Sequence, residues 1–363
     1  MPAERAEQYT VLPGQTPQGQ YILSVLIKRT YNVTAEGECQ RAEKDRKLLP
    51  ADKHYDDPMN TTVEFESDFA PYKLGVDVVC NARVYAPQGS TAQQLTAALT
   101  IGNHRREISV FGDRVCRYNS MGKPTFTDPA PFQSMSLRYE RAYGGIDIYS
   151  DIQVPSPYPR NHLGRGFVVK NTKKSVHNLP LPNLEDPQAL LTPENLFAEA
   201  PLEWEKCPWP RCFGWYSKYW QPRAGYAGVL PADRLAAAEL RAAYSQVVPP
   251  EQREDYQKTK LPDMDFRYFC GASPGLSFEF LPEPREVRLE NLTPEGEWSF
   301  ALPDDQPQVG LDVGTGGKEP EVVLHTVQIR AEDRQVDYVW RAAAPYPGPD
   351  WLPEMKKMEV SIQ

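Results

Sequence analysis

No apolar run in this sequence approaches the ~20 residues that a membrane-spanning helix needs. Basic residues are in deficit as well: 40 Lys and Arg stand against 49 Asp and Glu, a formal net charge of −9. That balance argues against a general nucleic-acid binder, whose affinity comes from basic surface that displaces counterions. The first nine residues are charged and carry no apolar core of a secretory signal. The six cysteines (39, 80, 116, 207, 212 and 270) are scattered rather than paired into a framework, which suits reduced thiols. The expectation is a cytoplasmic protein with no membrane insertion and no nucleic-acid partner.

Catalytic signatures are equally sparse. The five histidines form no His-x-x-x-His or other ligand pair, so no metal site is expected. Cys207 and Cys212 enclose four residues, two of them proline, and no second pair follows at zinc-ribbon spacing. Gly314-Thr-Gly-Gly317 lacks the Gly-Lys-Ser/Thr ending of a phosphate loop, and there is no Gly-x-Ser-x-Gly elbow. No cofactor is expected.

Proline, by contrast, is abundant: 36 residues, about twice the usual share. With few helical patterns beside it, that points to short strands and long ordered loops. Residues 21–30 read as a buried strand. Val76, Val78, Cys80, Ala82 and Val84 alternate as in a half-buried strand, and 95–101 repeats the pattern before the Gly102-Asn103 turn. The region to about residue 120 therefore reads as an antiparallel meander, with 124–131 as a connector. Two later hairpins are expected, 287–302 around Pro294-Glu-Gly296 and 323–340 around 331–334. One short helix is expected over 233–247, where Leu235, Ala238, Leu240 and Ala242 share a side before Pro249-Pro250. The fold class is mainly β, with antiparallel sheets in a sandwich-like arrangement, Pro-rich loops and that helix. The domain is one unit over 20–345 or two β subdomains, 20–122 and 132–345. Residues 346–363 form a tail.

Two segments stand apart. The first runs over 136–187, where charges alternate with aromatics and glycines and prolines fix the turns. Its candidates are Glu140, Arg141, Asn161, Arg165, Glu185 and Asp186. Arg165, between two glycines, is placed for bidentate contact with a carboxylate. Internal bracing and partner recognition both fit these residues. His162 would act as a general base with Glu185 or Asp186 only if the fold brought them into one cleft; a loop histidine is the simpler reading. The second segment holds Trp204, Trp209, Trp215, Tyr216, Tyr219, Trp220 and Arg223. Such residues are enriched at interface hot spots and equally suit the filling of a thin, proline-rich core.

Six motifs follow one another in order. They are Tyr139-Glu-Arg-Ala-Tyr-Gly-Gly-Ile-Asp147, Asn161-His-Leu-Gly-Arg-Gly-Phe167, Leu181-Pro-Asn-Leu-Glu185, Trp220-Gln-Pro-Arg223, Leu261-Pro-Asp-Met-Asp-Phe266 and Val339-Trp-Arg341. The series resembles the bacterial domain-of-unknown-function family 2169 (DUF2169), with His162 where that pattern usually has proline. The resemblance implies a non-enzymatic adaptor of type VI secretion, which binds a toxic effector and helps load it onto the valine-glycine-repeat (VgrG) spike protein. No catalytic residue carries over. The motif block and the Trp-rich segment are then the candidate partner-binding or bracing residues. A hydrolase using His162 with Glu185 or Asp186, or a structural component of the secretion apparatus, is the alternative.

Overall fold

The structure, a computed structural model, describes residues 7–149, 156–170, 176–199, 201–227, 264–312, 319–351, 355 and 358–363. Its two larger sheets use twelve strands. In chain order these are β1 (Gln8–Gln15), β2 (Tyr21–Val33), β3 (Cys39–Arg41), β4 (Val76–Asn81), β5 (Gln94–Ile101), β6 (His104–Phe111), β7 (Leu184–Glu185), β8 (Ser277–Phe278), β9 (Glu286–Glu290), β10 (Glu297–Ala301), β11 (Val322–Arg330) and β12 (Gln335–Pro345). Seven form a sheet in the order β1-β2-β12-β11-β4-β8, with β3 also on β2, and five form a sheet in the order β7-β6-β5-β9-β10. The chain is mainly β, and the longest helical element among the described residues is the six-residue 3-10 segment Pro201–Lys206.

The sheets face each other across one core. Leu23, Ile27, Val78 and Tyr338 from the larger meet Leu99, Ile108, Val287 and Leu289 from the smaller in a single hydrophobic cluster. Each such side chain contributes about 1.5–3 kcal/mol when fully buried. Strands on both sides of the 122–132 connection share that cluster, and β2 pairs with β12 from Ile22↔Pro345 to Asn32↔Gln335.

The larger sheet is also covered on its second face, which is polar. There the Lys28 ammonium donates to Asp68 (2.8 Å), Thr30 to Asp337 (2.7 Å), and Lys73 to Asp77 (2.6 Å). This corrects the half-buried reading of 76–84. Asp77 and Val79 are as buried as Val78 and Cys80, because the buried Lys73 and the Ser277 hydroxyl (2.6 Å) satisfy Asp77. The meander expectation fails at the same place. β4 runs parallel to β11, Thr326 opposite Asp77, while the β5–β6 hairpin belongs to the other sheet. Alternation specifies a strand but not its partner. Residues 124–126, read as a connector, pair with Cys116–Tyr118.

The 287–302 and 323–340 hairpins form as read. In the second, a register shift between Leu324 and Thr326 leaves His325 in a bulge, so the alternation of 323–329 is broken there. In the C-terminal tail, Glu359–Ile362 pairs with Val309–Asp312. The helix expected over 233–247 and the Gly-rich 314–317 lie outside the described residues.

Candidate interaction site

The motif block opens with one 3-10 turn, Tyr139–Arg141. Gly144 and Gly145 follow with φ of +150° and +107°, backbone that an L side chain rarely adopts. A Cβ on Gly144 would lie 2.1 Å from the Asn161 carbonyl oxygen. The bare backbone lets the two motif segments pack directly. Gly145 N–H donates to the Asn161 carbonyl (2.8 Å), Arg165 N–H to that of Ala142 (3.0 Å), and Phe167 N–H to that of Gly144 (2.9 Å). Asn161 is fully buried, and its Nδ2 donates to the carbonyls of Tyr139 (2.8 Å) and Tyr143 (3.1 Å). It does the work that a sheet ladder does elsewhere.

The charged candidates divide by exposure. Glu140 accepts from the Thr62 N–H and hydroxyl, both at 2.9 Å. Glu185 is buried; it pairs with Arg114 and accepts from Leu191 N–H at 2.7 Å. Burial raises its pKa against the pull of Arg114. Burial acts the same way on Asp186, but the Arg211 hydrogen bond and the Gln188 N–H (3.1 Å) outweigh it and hold that carboxyl below its usual range. Arg223 is buried against Glu66, using both terminal nitrogens, and donates to the carbonyls of Tyr216 and Tyr268 at 2.7 Å. Arg141 and Arg165 are different. Their Nη1 atoms lie 3.7 and 3.8 Å from Asp113, whose side chain is 72% exposed. Burial, with the like charge of Arg141, lowers the Arg165 pKa.

Trp220 is buried, and with Tyr139 and Tyr216 it forms a mutual edge-to-face triad with ring centroids 5.2–5.7 Å apart. Its Nε1 donates to His162 Nδ1 at 3.1 Å, which fixes the proton of neutral His162 on Nε2. Burial lowers the His162 pKa. Trp215 is buried in the main core, with the Lys73 ammonium 5.4 Å from its ring centre. Trp209 is half-buried beneath Arg160 (4.0 Å) and lines a cleft of about 220 Å3. Among the described residues no group of three or more His, Cys, Asp or Glu is placed to hold a metal ion. No helix among them is long and apolar enough to cross a membrane.

A family model described as "Uncharacterized protein conserved in bacteria (DUF2169)" matches residues 18–341. The chain belongs to that family. No curated protein and no solved structure matches it.

The fold brings Glu140, Arg141, Asn161 and Arg165 of this DUF2169 chain into one block. Glu185 and Asp186 lie at the edge of β6, and Trp220 ties the block to the Trp-rich segment through His162. Sequence reasoning passed over Asn183, Arg160, Arg106 and Arg211. Asn183 is buried, donating to the Phe111 carbonyl and to Asp113, both at 3.0 Å. A polar residue inside the apolar Leu181–Leu184 run was the available signal. Arg160 donates to the carbonyls of Glu205 (3.1 Å) and Cys207 (3.2 Å) between two tryptophan rings. No local pattern marks it, nor Arg106 and Arg211, which meet only in the folded chain.

Proposed function

We propose that this DUF2169 protein is a non-catalytic adaptor that binds a type VI secretion effector and helps load it onto the VgrG spike. The observation that carries the non-catalytic part is where the titratable candidates are engaged. His162 accepts from Trp220, Glu185 is held by Arg114 and the Leu191 N–H, and Asp186 by Arg211 and the Gln188 N–H. Groups locked to separate partners are poorly suited to exchange protons with a substrate. The recognition part is supported by an irregular surface whose backbone is hydrogen-bonded by buried side chains. The half-exposed Arg141 and Arg165, each tied to Asp113 only at long range, and Trp209 at a cleft wall offer arginine and aromatic contacts of the interface kind. The secretion context rests on the resemblance of the six ordered motifs.

The test is an affinity pull-down of the tagged protein from its native cytoplasm, with the bound proteins identified by mass spectrometry. An effector recovered together with a spike protein is the expected result. Recovery of neither by abundant, folded protein overturns the proposal.

A further inference from the structure

Strand β6 is paired along the whole of one edge and only part of the other. On the inner edge all eight residues face β5, from Gln94↔Phe111 to Ile101↔His104. On the outer edge β7 reaches only Val110 and Ser109, and Phe111 N–H donates to the Asn183 carbonyl at 2.8 Å. The alternation of an antiparallel ladder then places the N–H and C=O of Arg105 and Glu107 on that outer edge. Both residues are exposed, and neither has a backbone partner there among the described residues. The chain leaves the edge at a turn. The Asp186 carbonyl accepts from Ala189 N–H at 3.0 Å, and Pro187 has no N–H with which to continue the ladder.

Two other sheet edges are blunted. β1 carries Pro13, and β10 is covered where Ala301 N–H donates to the Gly37 carbonyl at 3.0 Å. At 105–107 charged side chains discourage apolar strands instead, and so select among those that can pair. Two recesses flank the stretch. One, of about 240 Å3, is lined by Glu107, Asp186 and Gln188; the other, of about 220 Å3, by Ile108, Trp209 and Leu276, and Arg106 and Arg211 line both. The charges there are unequal. Arg105 pairs with Glu107 and Glu290, and Arg211 with Asp186, but among the described residues Arg106 has no carboxylate within 4.0 Å and donates only to the Pro274 carbonyl at 3.1 Å. Burial and the Arg211 charge lower its pKa and Asp186 opposes them; with no carboxylate in contact among the described residues, the guanidinium can hold a negative group brought to it.

We infer that the 105–107 edge of β6 is a strand-addition site. It receives an extended segment of a partner protein that continues the ladder beyond β7, sets an acidic side chain against Arg106 and places an apolar one in the Trp209 recess. At ~3.4 Å per residue the three-residue edge is roughly 10 Å long and engages a segment of about three residues. That the segment belongs to a secretion cargo rests on the adaptor reading; the edge itself does not.

The probe is a displayed library of random ten-residue peptides panned on the full chain, with Glu107→Pro and Arg106→Glu proteins as separate targets. Glu107→Pro removes an outward N–H and leaves the bonds to β5 in place. Enriched peptides are expected to carry Asp or Glu near an aromatic or aliphatic residue. They should bind the parent chain at least tenfold more tightly than either variant and slow amide exchange at Arg105 and Glu107. Because the exchange measurement uses the parent chain, it decides the matter even if Glu107→Pro fails to fold. No enrichment on the folded parent, or enriched peptides that leave those two amides exchanging freely, overturns the inference. So does a parent dimer that Glu107→Pro dissolves, since the edge would then belong to a second copy. Peptide capture without any secretion component in the pull-down removes the adaptor reading and keeps the site. A co-purifying effector that neither substitution weakens, with no peptide enriched, does the reverse.

Discussion

The two-sheet core and the irregular layer over 139–227 bury their backbones by different means. In the sheets, ladders of up to eleven paired residues, as between β2 and β12, satisfy the main chain, and apolar side chains fill the space between. In the layer, ladders shrink to two residues, as between Tyr143–Gly144 and Arg165–Gly166 or Val168–Val169 and Phe197–Ala198. Side chains take over there. Asn161, Asn183, Arg160 and Arg223 donate to carbonyls that no strand reaches. The comparison teaches that motif residues of this layer look functional because they are polar, and that many of them are polar because they replace a ladder.

The largest test of that view compares Arg223→Ala with Leu99→Ala. Removing Arg223 leaves Glu66, whose side chain is 12% exposed, without its counterion, and takes a donor from the carbonyls of Tyr216 and Tyr268. The expected loss in urea unfolding is about 3–5 kcal/mol. Leu99→Ala, in the sheet core, should lose a similar ~2–5 kcal/mol through a cavity. An Arg223→Ala loss under about 1 kcal/mol would break the comparison, because the layer would then be held by something other than these bonds.

A smaller effect separates the two regions through their histidines. His325 lies buried in the β11 bulge, its Nε2 accepting from Arg341 Nε at 3.0 Å and its Nδ1 without a hydrogen-bond partner among the described residues. Burial, followed by the charges of Arg341 and Lys73, pushes its pKa well below 6.5. For His162, in the layer, burial alone lowers the value. Below 6.5 the unfolded chain therefore takes up protons that the folded chain refuses, and stability falls with pH until each folded pKa is reached. For His325 the slope is at most about 1.4 kcal/mol per pH unit, and for the half-buried His162 it is smaller. His325→Gln keeps an acceptor for Arg341 and removes the titration. Unfolding measured between about pH 7 and 5.5 should show a flatter slope in that variant than in His162→Gln. Equal slopes in the parent and both variants would mean that neither environment resists protonation.

The sheets were largely legible because period-two alternation is local. The 94–111 and 323–340 hairpins follow from it, while the 21–30 strand was marked by its apolar run and the 287–302 hairpin by its Pro294-Glu-Gly296 turn. The parallel pairing of β4 with β11 was not legible, since Thr326 meets Asp77 across most of the chain and the groups that make an aspartate acceptable there, Lys73, Ser277 and the Gly271 N–H, gather only in the folded chain. Nor was the bulge at His325, where the pattern looks regular until the register slips. In the layer, residue types were legible and burial was not. Asn161, Glu185, Trp215, Trp220 and Arg223 are buried, and so brace; Arg141, Arg165 and Trp209 are half-exposed, and so can meet a partner. Irregular chain has no period from which to read which side faces in.

Arg165→Ala sharpens that division with the smallest expected change in stability. The side chain donates to the Glu140 carbonyl at 3.2 Å and sits 3.8 Å from the exposed Asp113, with Arg141 repelling it. Exposed pairs of this geometry contribute about 0–1 kcal/mol, so the variant should unfold within about 1 kcal/mol of the parent. A folded Arg165→Ala protein that brings down less of its partner would place Arg165 in the contact surface, because so small a change in stability leaves the folded population intact. Equal recovery with equal stability would make Arg165 a spectator. A loss well above 1 kcal/mol would move it into the bracing set with Arg223, and the line between the buried and the half-exposed motif residues would have to be drawn elsewhere.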